Sequence, residues 1–410
     1  MSASTGQVRR LHFNTIDDVE RELLAVGVDP SGVNVMAPKA LGLSIKIEKV
    51  SSPAALILKQ EMLSLGGDCA NHRAVIKNDV TSTDSILIGS VKIFQRLIPK
   101  LKAQPFGLPA LAEKIQAIIE AELAPRQFKL TMQHHVLDLS HRTHIMGILN
   151  VTPDSFSDGG AFLEAGKAIA QGIRMVEEGA DIIDIGAEST RPGAETLPES
   201  QELDRLLPVL EGLLKEVAVP ISVDTYKSNV AEAALNAGAH VINDISGLRF
   251  DPRMKTVVAH HRAPVVLMHI QGEPKNMQQN PSYVDLMGEI VRYLSESIRL
   301  AEEAGIERSS VIIDPGIGFG KRLQDNYELL RRLTEFRDLG CPILVGPSRK
   351  SFIGAVLNLP PDQRMEGTAA AVALAIQHGA HIVRVHDVKE MSRVCRIADL
   401  IVGKSTPELG

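Results

Sequence analysis

Polar and charged residues lie at the end of each of eight short apolar runs, or follow it directly, between residues 143 and 387 of this chain. They include Asn150, Asp184, Asp224, Asn243, His269, Asp314, Lys350, Arg384 and His386. A single Asp or Asn in such a place is explained equally well as the N-cap of the next helix. Cations are poor N-caps, because the helix dipole disfavours positive charge at the N-terminus. Since four cations occur here (Arg191, Lys350, Arg384 and His386), we predict a site for an anion.

The predicted anion is a phosphate or a diphosphate. Asn150 follows the first run, and Arg384 and His386 follow the eighth, so a closed barrel would make these residues neighbours. The basic pair would neutralise a diphosphate, and the amide oxygen of Asn150 would bind Mg²⁺. One protein ligand is enough in principle, because Mg²⁺ keeps several waters beside substrate phosphates. We therefore expect Mg²⁺ as a cofactor.

Two acids and an amide form a second group. Asp224, Asn243 and Asp314 follow the third, fourth and sixth runs, around the barrel mouth from the basic pair. Buried carboxylates make paired, charge-assisted hydrogen bonds with a heterocycle that offers several N–H donors. Lys350 would serve a ring carbonyl of that heterocycle. The alternative is that Asp224 and Asp314 are helix caps or ion-pair partners of Lys350.

The segment Asp314–Lys321 carries glycines at positions 316, 318 and 320. This spacing differs from the G-x-G-x-x-G pattern of dinucleotide-binding loops. Glycine allows the backbone to approach a ligand closely. We predict a tight loop over a ligand, with Phe319 pointing into it.

These residues require a scaffold that brings eight segments to one rim. The apolar runs are rich in Val and Ile on both faces, as parallel strands buried on both sides are. They cover residues 144–149, 181–185, 220–223, 240–242, 264–268, 311–313, 341–345 and 381–385. Helical periodicity separates them, for example in Leu163–Glu178 and Asp285–Ala304, and Gly-Ala pairs end several of the helices. Eight such units predict an α/β fold, the (β/α)₈ TIM barrel, with its active site at the carboxyl ends of the strands. The alternative is an open doubly wound sheet, which would need no more than five or six strands.

Residues 1–135 lack this regular alternation of apolar runs and helical segments. They predict a smaller accessory domain of mixed α/β structure before a barrel of residues 136–410. The predicted helices cover residues 16–26, 53–65, 91–101 and 108–123. The predicted strands cover residues 43–50, 73–77 and 85–88. Ala124–Gln133 is the predicted linker. Asp68, Cys69 and His72 suggest metal ligands, although a chance surface cluster is the simpler explanation, and we assign this domain no chemistry.

Charge and composition exclude several classes of function. The net charge is −6, Trp is absent and aromatic residues make up 3%, which argues against nucleic-acid or anionic-membrane binding. The three cysteines form no C-x-x-C pair, so we expect neither a disulfide framework nor a structural zinc site. No apolar run reaches the roughly 18 residues that span a membrane, and Met1–Arg10 has no signal-peptide core. We therefore expect a cytoplasmic protein whose substrates are small molecules.

The ordered motifs of the chain resemble those of dihydropteroate synthases. They are Asn150–Gly160, Glu188–Gly193, Ser222–Thr225, Asn243–Gly247, Asp314–Lys321, Ser348–Ser351 and Arg384–Asp387. The resemblance covers about residues 140–402, with every motif present and in order. It implies a pterin-binding barrel that condenses 6-hydroxymethyl-7,8-dihydropterin diphosphate with 4-aminobenzoate. The products would be 7,8-dihydropteroate, for folate biosynthesis, and diphosphate.

The same resemblance implies roles for individual residues. Those that hold the pterin would be Asp224, Asn243, Asp314 and Lys350, with Met268 beneath it. Those that handle the diphosphate would be Arg384, His386 and Arg191, with Mg²⁺ on Asn150. The aminobenzoate pocket would be framed by Thr190, Arg191, Pro192, Phe319 and Ser351. The residues with catalytic roles would be Asp224, Lys350, Arg384 and His386, through electrostatic stabilisation rather than a strong base.

The resemblance also implies a homodimer and inhibition by sulfonamides. The loops after the first two strands are rich in Gly, Pro and Ser and would close as lids. Two other functions stay open at this point: a pterin-dependent methyltransferase and a non-catalytic pterin-binding regulator. Ser348–Ser351 and Ser189–Gly193 favour the synthase over the methyltransferase, and no cobalamin-binding module is visible.

Overall fold

The computed structural model describes residues 7–77, 79–124, 127–151, 161–189 and 193–405. The chain divides into two compact units, Met1–Arg126 and Gln127–Gly410. The predicted boundary after residue 135 therefore falls too late. Residues 129–138 form a hairpin that packs against the barrel strands of the second unit.

The first unit combines helices with a three-stranded antiparallel sheet. Its helices are α1 (Ile16–Val26), α2 (Pro30–Ala40), α3 (Ser52–Leu65), α4 (Val91–Lys102) and α5 (Leu108–Leu123). Its strands are β1 (Gly42–Ser51), β2 (Asp68–Asn71) and β3 (Ser82–Ser90), in the order β1-β3-β2. The core of this unit includes the fully buried side chains of Leu58, Met62, Leu87 and Phe94.

Three features within residues 1–135 differ from the sequence prediction. Helix α2 was missed because Ser31, Gly32 and Pro38 are weak helix formers, yet Asp29 caps it through the backbone N–H of Ser31. The strand predicted at residues 73–77 is wrong, since Val75–Lys77 is a 3₁₀ turn and β2 is the strand that pairs with β3. The linker prediction is wrong in part, because Lys129–Met132 is a strand.

The suggested metal cluster around Cys69 is not supported. The Cys69 thiol lies 3.3 Å from Asn71 Oδ1, and the Asp68 carboxylate accepts from the Cys69 backbone N–H. Among the described residues, no group of three or more His, Cys, Asp or Glu side chains is placed to hold a metal ion.

The second unit begins with a hairpin and continues as eight parallel strands. The hairpin strands are β4 (Lys129–Met132) and β5 (His135–Asp138). The parallel strands are β6 (His144–Asn150), β7 (Ile182–Gly186), β8 (Ile221–Asp224), β9 (Val241–Asp244), β10 (Val265–Met268), β11 (Val311–Asp314), β12 (Leu344–Val345) and β13 (Ile382–Val385). The helices between and after them are α6 (Ala161–Glu177), α7 (Glu199–Glu216), α8 (Ser228–Ala237), α9 (Met254–His261), α10 (Leu286–Glu303), α11 (Leu323–Arg331), α12 (Ser351–Leu357), α13 (Met365–Gln377) and α14 (Val388–Ile401).

The eight strands close into a barrel. They pair in the order β11-β10-β9-β8-β7-β6-β13-β12. A parallel bridge between Ile313 and Ile343 joins the two ends, and the Ile313 N–H donates to the Pro342 carbonyl at 3.0 Å. The predicted (β/α)₈ barrel is confirmed, and the open sheet is excluded.

The hairpin covers the amino end of the barrel. Leu130, Met132 and Leu139 are almost completely buried there. Their cluster contains an inward-facing residue near the start of most barrel strands: Met146, Ile182, Val241, Val266, Ile312, Leu344 and Ile382. The carboxyl end is therefore the end that is left for a ligand.

No helix in the described part of the chain is long and apolar enough to cross a bilayer.

Candidate active site at the carboxyl end of the barrel

The barrel positions an ionic network at its carboxyl end. Arg384 on β13 donates from Nε to Asp184 Oδ2 at 2.6 Å and from Nη2 to Asp224 Oδ2 at 2.7 Å. Only 18% of the Arg384 side chain is exposed. Arg384 is therefore not separated from the acids around the barrel mouth, because it reaches across from β13 to the carboxylates of β7 and β8.

Asp184 is a site residue to which the sequence prediction assigned no role. Its side chain is fully buried on β7, and its Oδ2 also accepts from Asn243 Nδ2 at 3.0 Å. An acidic residue inside an otherwise apolar buried run was the signal available in the sequence, because a buried carboxylate needs a partner. Asp184 links Asn243 and Arg384, which were both predicted.

Asp224 keeps one carboxylate oxygen free of protein partners. Asp224 Oδ1 is buried and has no hydrogen bond within the described structure. Burial raises the pKa of Asp224, and the nearby Arg384 opposes that rise. The N-cap explanation fails for Asp224, since helix α8 begins at Ser228 after Lys227. This acid therefore has the surroundings of a ligand-binding group.

Asp314 lies at the end of β11 and is held by its own loop. Its Oδ1 accepts from the Gly316 N–H at 2.7 Å. Burial raises its pKa, while that hydrogen bond and the charge of Lys350 lower it. Asp314 is thus a loop-capping residue and also a buried acid beside lysines.

Two lysines lie close to Asp314. Burial lowers the pKa of Lys350 to about 7 and the pKa of Lys321 to about 7. Lys350 Nζ donates to the Ile317 carbonyl at 2.7 Å, so it is not an ion-pair partner of either acid. Lys321 Nζ lies 2.9 Å from His269 Nδ1 and donates to the Phe319 carbonyl at 3.0 Å. Lys321 was not singled out from the sequence, because it ends a glycine-rich motif whose loop path could not be read.

The glycine loop presses against the end of β10. Gly316 and Gly320 have φ angles of 70° and 61°. A Cβ atom at Gly316 would lie 1.9 Å from the His269 carbonyl oxygen, and one at Gly320 would lie 2.3 Å from the Gln271 carbonyl oxygen. Only glycine fits at these two positions, which confirms the predicted tight loop.

Apolar side chains form a platform beside the charged groups. Met268 and Phe319 belong to one buried cluster with Ile245, Ile270 and Met277. The Phe319 ring centroid lies 3.9 Å from Lys350 Nζ. The structure therefore places Met268, which was predicted to lie beneath the pterin, in one cluster with Phe319, which was predicted for the aminobenzoate pocket, and places Lys350 over the Phe319 ring.

Ser351 stands at the start of helix α12, on the wall of a cleft of about 550 Å³. Other residues of the wall include Gln278, Ser282, Lys321, Arg322 and Asn326. The exposed Ser351 follows directly on Lys350. Ser351, which was predicted to frame the aminobenzoate pocket, thus lies on this wall, whereas Phe319 and Lys350 do not line the cleft.

The remaining predicted residues lie at β6 and β13 or outside the described residues. His386 Nδ1 is 2.9 Å from Ser348 Oγ, which also accepts from the His386 N–H at 3.2 Å. Asn150 Oδ1 and Asp224 Oδ2 each lie 3.8 Å from the place that a Cβ of Gly186 would occupy. Asn150 therefore borders the acidic group. Thr190, Arg191 and Pro192, and most of the loop after β6, lie outside the described residues.

The fold and the site define a (β/α)₈ barrel with a buried ionic network at the carboxyl ends of its strands, where enzymes of this fold carry their active sites. The model of the family described as "Pterin binding enzyme" matches residues 146–386. A dihydropteroate synthase of Synechocystis is 51% identical over 267 residues, which are 65% of this chain and 92% of the relative. A probable bifunctional folylpolyglutamate synthase/dihydropteroate synthase of Halobacterium salinarum is 42% identical over 94% of this chain and 46% of the relative.

Two solved structures agree with this similarity. Yersinia pestis dihydropteroate synthase in complex with a sulfonamide drug matches 67% of this chain and 100% of its own at a TM-score of 0.64 and 47% identity. The Xanthomonas albilineans dihydropteroate synthase in complex with 7,8-dihydropteroate matches 68% of this chain and 100% of its own. Its TM-score is 0.61 and its sequence identity is 43%. This chain belongs to the dihydropteroate synthase family of pterin-binding enzymes, with an N-terminal extension. The predicted enzyme class, a transferase of folate biosynthesis, is confirmed, and these relatives do not support the methyltransferase or the regulator.

Proposed function

We propose that this chain condenses 6-hydroxymethyl-7,8-dihydropterin diphosphate with 4-aminobenzoate to give 7,8-dihydropteroate and diphosphate. The observation that carries the proposal is the buried network of Asp184, Asp224, Asn243 and Arg384 beside the Met268 and Phe319 platform. It combines acceptors for ring N–H groups, a cation for a phosphate and an apolar surface for a flat ring. The membership of the family supports the same reaction.

The pterin would lie between the acids and the platform. The unpartnered Asp224 Oδ1 would accept from the ring, with Asn243 and Asp314 completing its polar edge. Lys350 Nζ, held over Phe319, would serve the ring carbonyl. The carboxylates would also favour a pterin that carries positive charge on its methylene carbon as the leaving group departs.

In the reaction, the bond between the methylene carbon and the diphosphate oxygen breaks, and its electron pair leaves with the diphosphate. The lone pair of the aniline nitrogen forms the new C–N bond, and that nitrogen releases a proton. Arg384 and His386 would bind the departing diphosphate. The amine is nucleophilic without a base, so the protein orients the two substrates and stabilises charge.

We also propose Mg²⁺ at Asn150. The site fits this ion, because Asn150 offers an amide oxygen beside the acidic group and Mg²⁺ needs few protein ligands when it binds phosphates and water. When bound, the ion would neutralise charge on the diphosphate. Aminobenzoate would lie against Phe319 and Ser351 and between Thr190, Arg191 and Pro192, a place that sulfonamides would share.

The experiment that tests the reaction is turnover of radiolabelled 4-aminobenzoate with the dihydropterin diphosphate and Mg²⁺. We expect labelled dihydropteroate, and no product when the pterin lacks its diphosphate. Omission of Mg²⁺ tests the metal separately, since an unchanged rate in the presence of chelator would remove it. No product from a chain that still binds the pterin in calorimetry would overturn the proposed reaction.

We further propose a homodimer in the cytoplasm. Helices α13 and α14 expose Leu374, Ile397 and Ile401 on the barrel surface, with 54%, 59% and 75% of each residue accessible. Three buried cysteines without disulfides suit a reducing compartment. Analytical ultracentrifugation tests the dimer: Ile397→Lys and Ile401→Lys together should shift it to monomer, whereas a dimer that resists both changes would place the interface elsewhere.

A further inference from the structure

Arg384 has two acidic partners that differ in depth. Asp184 pairs in register with Ser222, whereas Asp224 pairs with Gly186, which is two residues further along the same strand as Asp184. Asp184 therefore lies below Asp224, away from the rim, by roughly two strand residues or about 7 Å. The exposed fraction of the side chain is 0% for Asp184 and 9% for Asp224.

Each of the two acids has a buried oxygen, Oδ1, without a hydrogen-bond partner among the described residues, but the acids differ in what holds the other oxygen. Asp184 Oδ2 is engaged twice, by Arg384 Nε and by Asn243 Nδ2. Asp224 has a buried free oxygen, Oδ1, and its Oδ2 is engaged by Arg384 Nη2. A ring that makes two parallel hydrogen bonds to Asp224 needs both of its oxygens, so the bond from Arg384 Nη2 must be given up or shared.

We propose that Asp184 is the positioning residue of Arg384. Asp184 stays bound to Arg384 Nε while Arg384 Nη2 leaves Asp224 and binds the diphosphate of the incoming substrate. The N–H groups of the pterin ring then donate to both oxygens of the Asp224 carboxylate. Binding of the ring and release of Arg384 towards the diphosphate thereby become one coupled event. The inference rests on the proposed function for the identity of the ligand.

The exchange depends on the depth of Asp184. A guanidinium held only by Asp224 would compete with the ring for that carboxylate, and its direction would no longer be fixed. With Nε anchored below, the planar guanidinium keeps its orientation as Nη2 changes partner. Asn243 is bound to the same oxygen, so the amide that meets the ring is held by the same residue.

The test is a double-mutant cycle on the full chain, read as binding of the pterin diphosphate in calorimetry without aminobenzoate. The variants are Asp184→Ala, Arg384→Ala and both together. We expect Asp184→Ala to weaken binding at least tenfold, and the double variant to lose less than the product of the two single losses, because residues that act as a unit are not additive. Binding of 6-hydroxymethyl-dihydropterin without diphosphate should weaken less. Ser222→Ala, which removes a buried hydroxyl at the same depth on the next strand, is the matched control and should bind as the wild type does.

Asp184→Asn keeps the cycle informative if the alanine variant does not fold. Its amide oxygen can still accept from both donors, so we expect a smaller loss of about threefold with the same lack of additivity. Losses that multiply, or a folded Asp184→Ala that binds normally, would overturn the proposal. Because the readout is binding, a chain that binds but makes no product would fail the proposed reaction alone. A productive chain with additive losses would fail this inference alone.

Discussion

Lys350 Nζ lies 3.9 Å from the centre of the Phe319 ring and 2.7 Å from the carbonyl oxygen of Ile317. The glycine loop after β11 thus supplies both the aromatic face and the acceptor that hold this cation. A Cβ at Gly318 would lie 2.8 Å from Lys350 Cδ, so the loop can approach the lysine stem this closely only with glycine there. This arrangement holds Lys350 beside Asp314 and removes much of the water around its ammonium group. The loss of hydration lowers the pKa of Lys350 to about 7.

The first prediction concerns the pH dependence of kcat/KM, which reports the free enzyme. Lys350 is charged below its pKa and neutral above it, so its interaction with a ring carbonyl should weaken as the pH rises through about 7. We expect a falling limb of kcat/KM near that pH. Lys350→Arg should lower the activity but remove this limb, because a guanidinium stays charged.

Lys321 provides the control for this assignment, because burial lowers its pKa to about 7 as well. Lys321→Met should leave the falling limb in place. Ionisation of the substrate is the same for all variants and cancels in the comparison. If Lys350→Arg kept the limb and Lys321→Met lost it, the titrating group would be Lys321.

The second prediction concerns Asp224. Asp224→Asn replaces a charged acceptor by a neutral amide, which should cost about 1–3 kcal/mol of pterin binding free energy. Titration calorimetry with the free pterin measures this loss. Asp204→Asn, an exposed carboxylate on α7, is the control and should change nothing. Equal affinities of the Asp224 variant and the wild type would remove Asp224 from the site.

Much of the barrel and of its site could be predicted, for a physical reason. Strands buried on both faces carry Val and Ile runs, and parallel strands must end at one rim, so Asp224, Asn243 and Asp314 could be placed there. The position of Asp184 could be read from the sequence but its role could not, because that role arises from contact with an arginine 200 residues further along the chain. Strand β2, Asp-Cys-Ala-Asn, has no β-branched residue and exists through its pairing with β3, which local sequence does not encode.

The third prediction concerns a buried ionic cluster next to the site. Lys227 Nζ contacts Glu188, donates to Glu202 at 2.6 Å and to the Leu197 carbonyl at 2.5 Å. The two glutamates raise the pKa of Lys227 against the effect of burial. Lys227→Met would leave two nearly buried carboxylates without a cation, which should cost about 3–5 kcal/mol of folding free energy.

Urea unfolding measures this loss, with Lys215→Met on the exposed face of α7 as the control. Adding Glu202→Leu to Lys227→Met should recover part of the stability, since one of the uncompensated charges disappears. A Lys227→Met chain as stable as the control variant would show that solvent reaches the cluster and that the ion pairs contribute little.

The last prediction concerns the minimal barrel. The hairpin β4–β5 closes its amino end, and Leu130 and Met132 are 1% and 2% exposed against inward-facing residues of the barrel strands. The fragment of residues 127–410 should therefore fold and bind the pterin, whereas the fragment of residues 143–410 should lose cooperative unfolding.

Within the full chain, Leu130→Ala should cost about 2–5 kcal/mol of folding free energy because it leaves a cavity at the amino end of the barrel. Val136→Ala is the matched control on the same hairpin, since Val136 is 63% exposed. Calorimetric melting of both fragments and both variants provides the measurement. Cooperative melting of the fragment 143–410 would show that the barrel needs no floor, and failure of the fragment 127–410 to fold would show that residues 1–126 contribute to its stability.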